Sequence, residues 1–190
     1  MALNNSANVS TGKPKIGGAI YYAPEGTTLP TDATSTLNDA FENLGYVSDD
    51  GLTNSNTIES ETIKAWGGDI VATSQTDKQD TFQLKLIETL RVAVLKAIYG
   101  AENVSGSAET GITVKANVKE LKTASWVVDM ILNGNTLKRV VIPRGKISEL
   151  GDIVYKDDEA IGYEPTITAL PDSLGNTHYE YIKTSEVVSA

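Results

Sequence analysis

Side chains that can move protons, attack carbonyls or hold metals are scarce in this sequence, and those present keep little useful company. His178 is the single histidine, so neither a two-histidine metal site nor an HExxH helix can form within one chain. A serine–histidine–aspartate arrangement would have to recruit it, yet no serine is framed as GxSxG. Beside Tyr179 in a strand-like run, His178 reads as an ordinary sheet histidine. The chain has no cysteine, which excludes disulfides, zinc–thiolate centres and thiol nucleophiles. Neither GxGxxG nor GxxxxGK[ST] occurs, so the common nucleotide cradles are missing as well.

Carboxylates are plentiful, but Asp49-Asp50 and Asp157-Asp158-Glu159 crowd into turn-like segments without the Asp-x-Asp-x-Asp-Gly spacing of a calcium loop. They read as solvated turns. Paired acids brought together from different strands, as in a glycosidase, stay open, because spacing along the chain does not exclude them. Lys138, Arg139, Arg144 and Lys146 come nearest to a basic cluster. They read as a solvated strand edge, with docking on acidic groups of another subunit as the functional alternative. With 16 basic against 25 acidic residues the net charge is −9, which disfavours tight binding to nucleic acid. The same repulsion is compatible with letting DNA pass. These residues imply no enzyme, no cofactor and no metal.

The elements that must position such residues are mostly strands. At 190 residues the chain fits one domain, and a composition 40% hydrophobic but only 6% aromatic requires an aliphatic core. Phe82, Leu84 and Leu86 alternate with Gln83 and Lys85, the period of two that turns one side of a strand inward. The period then changes: Leu86, Leu90, Val94 and Ile98 fall on one helical face. A single α-helix is expected over about 89–99, with Thr89 as N-cap and Gly100 ending it, about 15 Å long. A second, short helical turn is expected within 31–44, with Leu37, Phe41 and Leu44 on one face.

Further strands are expected at 17–23, 111–118, 125–132, 136–142, 160–169 and 177–183, with another short segment over 145–155. Asn133-Gly134-Asn135 is a hairpin signal, Asp49-Asp50-Gly51 a turn, and Pro143 a stop to pairing on its side. Between 52 and 79 the chain is rich in Thr, Ser, Asn and acids, too long for a structureless loop inside a compact domain. A protruding strand pair, about 56–65 and 69–77 around Gly67-Gly68-Asp69, is the better reading. The fold class is mainly β, an antiparallel sandwich or barrel with one flanking helix. The organisation is a single domain over 1–190, with a polar N-terminal arm (1–15), a protruding loop or hairpin (49–79) and a C-terminal tail (184–190), the arms expected to be flexible. The N-terminus lacks the pattern of a signal peptide, and no run approaches the roughly 20 apolar residues of a membrane span. The chain is expected to be soluble, with no membrane partner and made in the cytosol.

Two stretches carry a family resemblance. One is Glu61-Thr62-Ile63-Lys64-Ala65-Trp66-Gly67-Gly68-Asp69, followed by Phe82-Gln83-Leu84, the helix, and Tyr99-Gly100-Ala101-Glu102-Asn103-Val104. The other is Gly17-Gly18-Ala19-Ile20-Tyr21-Tyr22-Ala23-Pro24 with Phe41-Glu42-Asn43-Leu44-Gly45-Tyr46-Val47-Ser48. Over most of residues 16–104 the chain resembles the major tail proteins of long, non-contractile-tailed bacteriophages. The resemblance implies a structural subunit of the virion tail, assembled in the bacterial cytoplasm. Six such subunits would close into a ring by sharing sheets, and rings would stack into a hollow tube around a tape-measure protein. Tail-terminator and tail-tip proteins would bound the tube, and DNA would later pass through it. In that family a long loop or hairpin and the terminal arms make the ring-to-ring contacts. The matching positions here are 49–79, 1–15 and 184–190, with Thr57, Glu59, Glu61, Lys64, Trp66, Asp69, Thr73, Gln75, Asp77 and Lys78 as the candidates for inter-subunit or stacking contacts. The alternatives are another ring-forming protein, such as a tail terminator or secretion-tube subunit, and a carbohydrate-binding sandwich using Trp66, Trp126 and the tyrosines.

Overall fold

A computed structural model describes residues 4–184. The first three residues of the N-terminal arm and all of the C-terminal tail after Thr184 lie outside the described residues. The strands are β1 (Lys13–Pro14), β2 (Ile20–Pro24), β3 (Glu42–Asn43), β4 (Val47–Lys64), β5 (Ile70–Leu86), β6 (Val104–Ser107), β7 (Gly111–Val114), β8 (Ala124–Leu132), β9 (Thr136–Leu150), β10 (Pro165–Ala169) and β11 (Tyr179–Thr184). One helix, α1 (Val92–Tyr99), accompanies them. The fold is mainly β and antiparallel, sandwich-like, as the sequence predicts.

Nine strands form one sheet, ordered β3-β2-β8-β9-β10-β5-β4, with β1 added to β8 and β11 added to β9. Among the described residues no pairing joins β3 to β4, so the sheet stays open and β4 is a free edge. β6 and β7 make a separate hairpin. The long strands β8 and β9 are central and covered on both sides. Trp126, Val128, Val140 and Ile142 face the main core, with Phe82, Leu84, Leu86 and the Val94, Leu95 and Ile98 side of α1. Val127 and Val141, opposite in phase, face a smaller core with Ala23 and Phe41. A strand buried on both sides has no polar face, which explains the nearly continuous apolar run SWVVDMIL.

Several expectations need correction. α1 begins at Val92, and Thr89 is not its N-cap; Arg91 occupies that position without a side-chain cap bond. Glu88 is the reason. Its carboxylate accepts the Tyr46 amide at 2.9 Å and the Arg91 guanidinium at 2.6 Å, while its carbonyl takes the Arg91 amide. These bonds hold residues 88–91 as a turn, and Leu90 is left exposed. Gly45 stands directly against that carboxylate with φ of 79°, a place with no room for a side chain.

The segment 31–44 is not helical: residues 31–41 are irregular and β3 follows them. The Asp32 carboxylate accepts the Thr34 and Ser35 amides at 2.6 Å each, bonds that pull its pKa down to about 2. Asn38 makes a second turn by taking the amides of Ala40 and Phe41. Phe41 then enters the smaller core and Leu44 the main one, so they share no face.

Asp49-Asp50-Gly51 is no turn either: it lies in a bulge between the pairs Val47↔Leu86 and Leu52↔Leu84 of an unbroken β4. Nor does Pro143 end its strand, since β9 runs through it to Leu150. Pro143 falls where the neighbour changes: β11 pairs with β9 as far as Val141, and β10 from Gly145 onward. The strands expected at 111–118 and 160–169 are shorter than predicted, and 145–150 belongs to β9. The hairpin signal at 133–135 is met by a tight turn that closes the pair Leu132↔Thr136.

The candidate assembly surface

The hairpin of β4 and β5 is built from two kinds of sequence. At its root the pairs Leu52↔Leu84 and Asn54↔Phe82 lie against β10, and Phe82, Leu84 and Leu86 are buried. Beyond Asn56↔Asp80 the two strands continue alone to Lys64↔Ile70, about 25 Å further at roughly 3.3 Å per residue. A loop at 65–69 closes the tip, where the Asp69 carbonyl takes the Ala65 amide at 2.7 Å. Gly67 and Gly68 have φ of 118° and 104°, values that side-chain-bearing residues rarely adopt.

Every residue from 53 to 79 is exposed. That places all ten predicted contacts, Thr57, Glu59, Glu61, Lys64, Trp66, Asp69, Thr73, Gln75, Asp77 and Lys78, on one solvent-surrounded arm. Its apolar side chains are exposed too: Ile58, Ile63, Ile70, Val71 and, at the tip, Trp66 at 107%. A two-stranded ribbon with no core is at best marginally stable in water, and a free edge strand invites pairing. Apolar residues exposed together on such a ribbon make it the candidate contact surface of this chain.

Sequence reasoning missed what anchors the arm. Asp80, 1% exposed, lies where the two strands leave the core. Its carboxylate accepts Asn54 Nδ2 at 2.7 Å, Asn56 Nδ2 at 3.4 Å and Thr177 Oγ1 at 2.8 Å, and lies 2.5 Å from His178 Nδ1. The His178 ring also meets Phe82 edge-on, with centroids 5.2 Å apart. The lone histidine thus joins the segment before β11 to the hairpin root. The signal was one of phase: Asp80 shares the inward parity of Phe82, Leu84 and Leu86.

The four basic residues read as a solvated edge are all taken by partners within the chain. Lys138 pairs with Glu180 at 2.7 Å, Arg144 with Glu25 at 2.6 Å, and Lys146 with Glu120. Arg139 departs furthest from that reading, being 2% exposed. It meets both Asp129 carboxylate oxygens, at 2.6 and 2.8 Å, and donates to the carbonyls of Asp32 and Ser35. The Asp129 carboxylate raises its pKa against the opposing effect of burial. This fork holds the 31–44 segment over the sheet.

Two further surface features lie away from the arm. Residues 9–15 run along the end of β8, where β1 pairs with Met130 and Ile131, and Val9, Ser10 and Thr11 bond to Asn133. A cleft of about 640 Å³ separates the end of α1 from residues 119–123. Trp126 contributes to its floor but is 1% exposed and covered edge-on by Tyr22, so of the aromatics named for the carbohydrate alternative this one cannot stack on a sugar. Among the described residues no group of His, Asp and Glu is arranged to hold a metal. Also among them, no helix is long and apolar enough to cross a membrane.

An open antiparallel sheet that extends a bare, apolar-decorated arm has the form of a structural assembly subunit. Residues 1–189 match the phage tail tube protein family, and the chain belongs to it. The family is structural and non-enzymatic, so the chain is a subunit of the virion tail. No curated protein matches the chain.

Proposed function

We propose that this subunit closes into rings of six and that the rings stack into the tail tube through the β4–β5 arm. The observation that carries this reading is the arm itself: exposed over residues 53–79, apolar at Ile58, Ile63, Trp66 and Ile70, and free along the outer edge of β4. Burying that edge and those side chains in a neighbour removes a hazard the monomer otherwise carries. The N-terminal arm and the C-terminal tail complete the ring-to-ring contacts. A tape-measure protein fills the lumen during assembly in the host cytoplasm, and terminator and tip proteins close the ends. DNA later passes through without specific binding, because a chain of net charge −9 releases few counterions from it.

Electron microscopy of the concentrated, purified protein tests this reading. Rings or tubes with a central hole support it. A strictly monomeric particle, unchanged when mixed with its tail partners, overturns it.

A further inference from the structure

The arm has two faces of opposite charge. Residues paired directly across an antiparallel ribbon point to the same side, and successive residues point to opposite sides. Glu59 pairs with Asp77, and Glu61 lies two residues along on the same face. Ile58 pairs with Lys78 and Lys64 with Ile70, and both pairs lie on the other face. The bulges after Glu59 and Ile63 take their extra residue from β5, so the alternation along β4 holds: one face carries Glu59, Glu61 and Asp77 with Ile63 beyond them, and the reverse carries Lys64 and Lys78 with Ile58 and Ile70. No ion pair forms between these groups, because the ribbon separates them. The register also sets Glu59 directly opposite Asp77, like against like, an arrangement that opposes hairpin formation in an isolated chain.

Resting on the reading of the arm as an assembly surface, we propose that its occupant is a second copy of the same arm, packed face to back. The acidic face of one copy lies on the Lys64–Lys78 face of the next. A two-fold contact between like faces would bring Glu59, Glu61 and Asp77 against their own copies, or the two lysines against theirs. Face-to-back packing instead neutralises the Glu59–Asp77 repulsion and leaves the second face of each arm free for a further copy. Such a contact is heterologous: it joins two different patches and propagates, closing a ring or extending a stack. Charge complementarity then sets the direction of addition as well as its partner.

Three variants test it, all altering exposed side chains outside the core. The first is Glu59→Lys with Glu61→Lys and Asp77→Lys. The second is Lys64→Glu with Lys78→Glu, and the third combines all five changes. Assembly is followed by sedimentation and electron microscopy, and monomer folding by circular dichroism. The first and second variants should each raise the concentration needed for assembly by about tenfold or more, the summed effect of several exposed pairs. Mixing them one to one should restore assembly, because each then supplies the face the other needs. The five-fold variant should assemble alone. If the wild type assembles and either face variant matches it, the inference fails while the tube reading stands. It fails equally if neither the mixture nor the five-fold variant recovers. A wild type that never assembles removes both.

Discussion

The root and the arm of one hairpin are made by the same two paired strands, with bulges after Val47, Glu59 and Ile63, yet they obey different rules. At the root Phe82 and Leu84 are 2% and 3% exposed, and a buried Asp80 collects bonds from two other segments of the chain, β4 and residues 177–178. A few residues further on nothing is buried. The root is specified by the core it covers, so each inward position must be apolar or fully bonded. The arm escapes that constraint within the monomer, and its faces are sorted by charge instead. Asp80 marks the line at which burial in the monomer ends.

The most drastic way to break this comparison is to remove the arm. Replacing residues 58–78 by Asn-Gly joins Thr57 to Gln79 through a two-residue turn suited to a hairpin. Leu52, Asn54, Asn56 and Asp80 all remain, so the root keeps its contacts. Ring and tube formation should be lost entirely in electron micrographs, while the urea midpoint of the monomer moves little. A variant that unfolds would show that the arm belongs to the fold; one that still forms normal tubes would show that it does not belong to the interface.

The converse experiment attacks the root. Asp80→Ala leaves the Asn54 amide, the Thr177 hydroxyl and His178 facing a vacated buried site. The expected cost is about 2–4 kcal/mol, from desolvated donors left without partners. Urea unfolding at neutral pH measures it. Because His178 is linked to the fold through Asp80, His178→Ala should cost less, about 1 kcal/mol, the size of one hydrogen bond. Equal losses from the two changes would mean that the histidine contact, and not the whole node, fixes the root.

How far the fold was legible follows the same boundary. The alternation from Phe82 to Leu86 and the helical face of Val94 and Ile98 were readable because a core imposes their periods. The start of α1 was not, because Glu88 is recruited from a distance by Tyr46, 42 positions away. β4 shows no period of two beyond Leu52, since both its faces meet solvent in the monomer. Only its length and polarity suggested a ribbon. Buried charges were the hardest to recognise. Arg139 and Asp129 resemble surface residues in type, and only their shared phase with Val141 and Val127 places them inside. The ten arm residues were found by resemblance to a family, and their division into two faces required the register.

The mildest test uses the two tryptophans, one on each side of the boundary. Trp126 is 1% exposed in the core and Trp66 is fully exposed at the tip. Trp66→Phe should change monomer stability by no more than about 0.5 kcal/mol, as expected for a surface site without contacts. It also leaves Trp126 as the only indole, so the difference between wild type and variant isolates the tip's fluorescence. Acrylamide should quench the Trp66 component freely in the monomer and poorly once tubes have formed. Persistent quenching in assembled tubes would place the tip in solvent and confine the interface to the paired faces between Thr57 and Lys78.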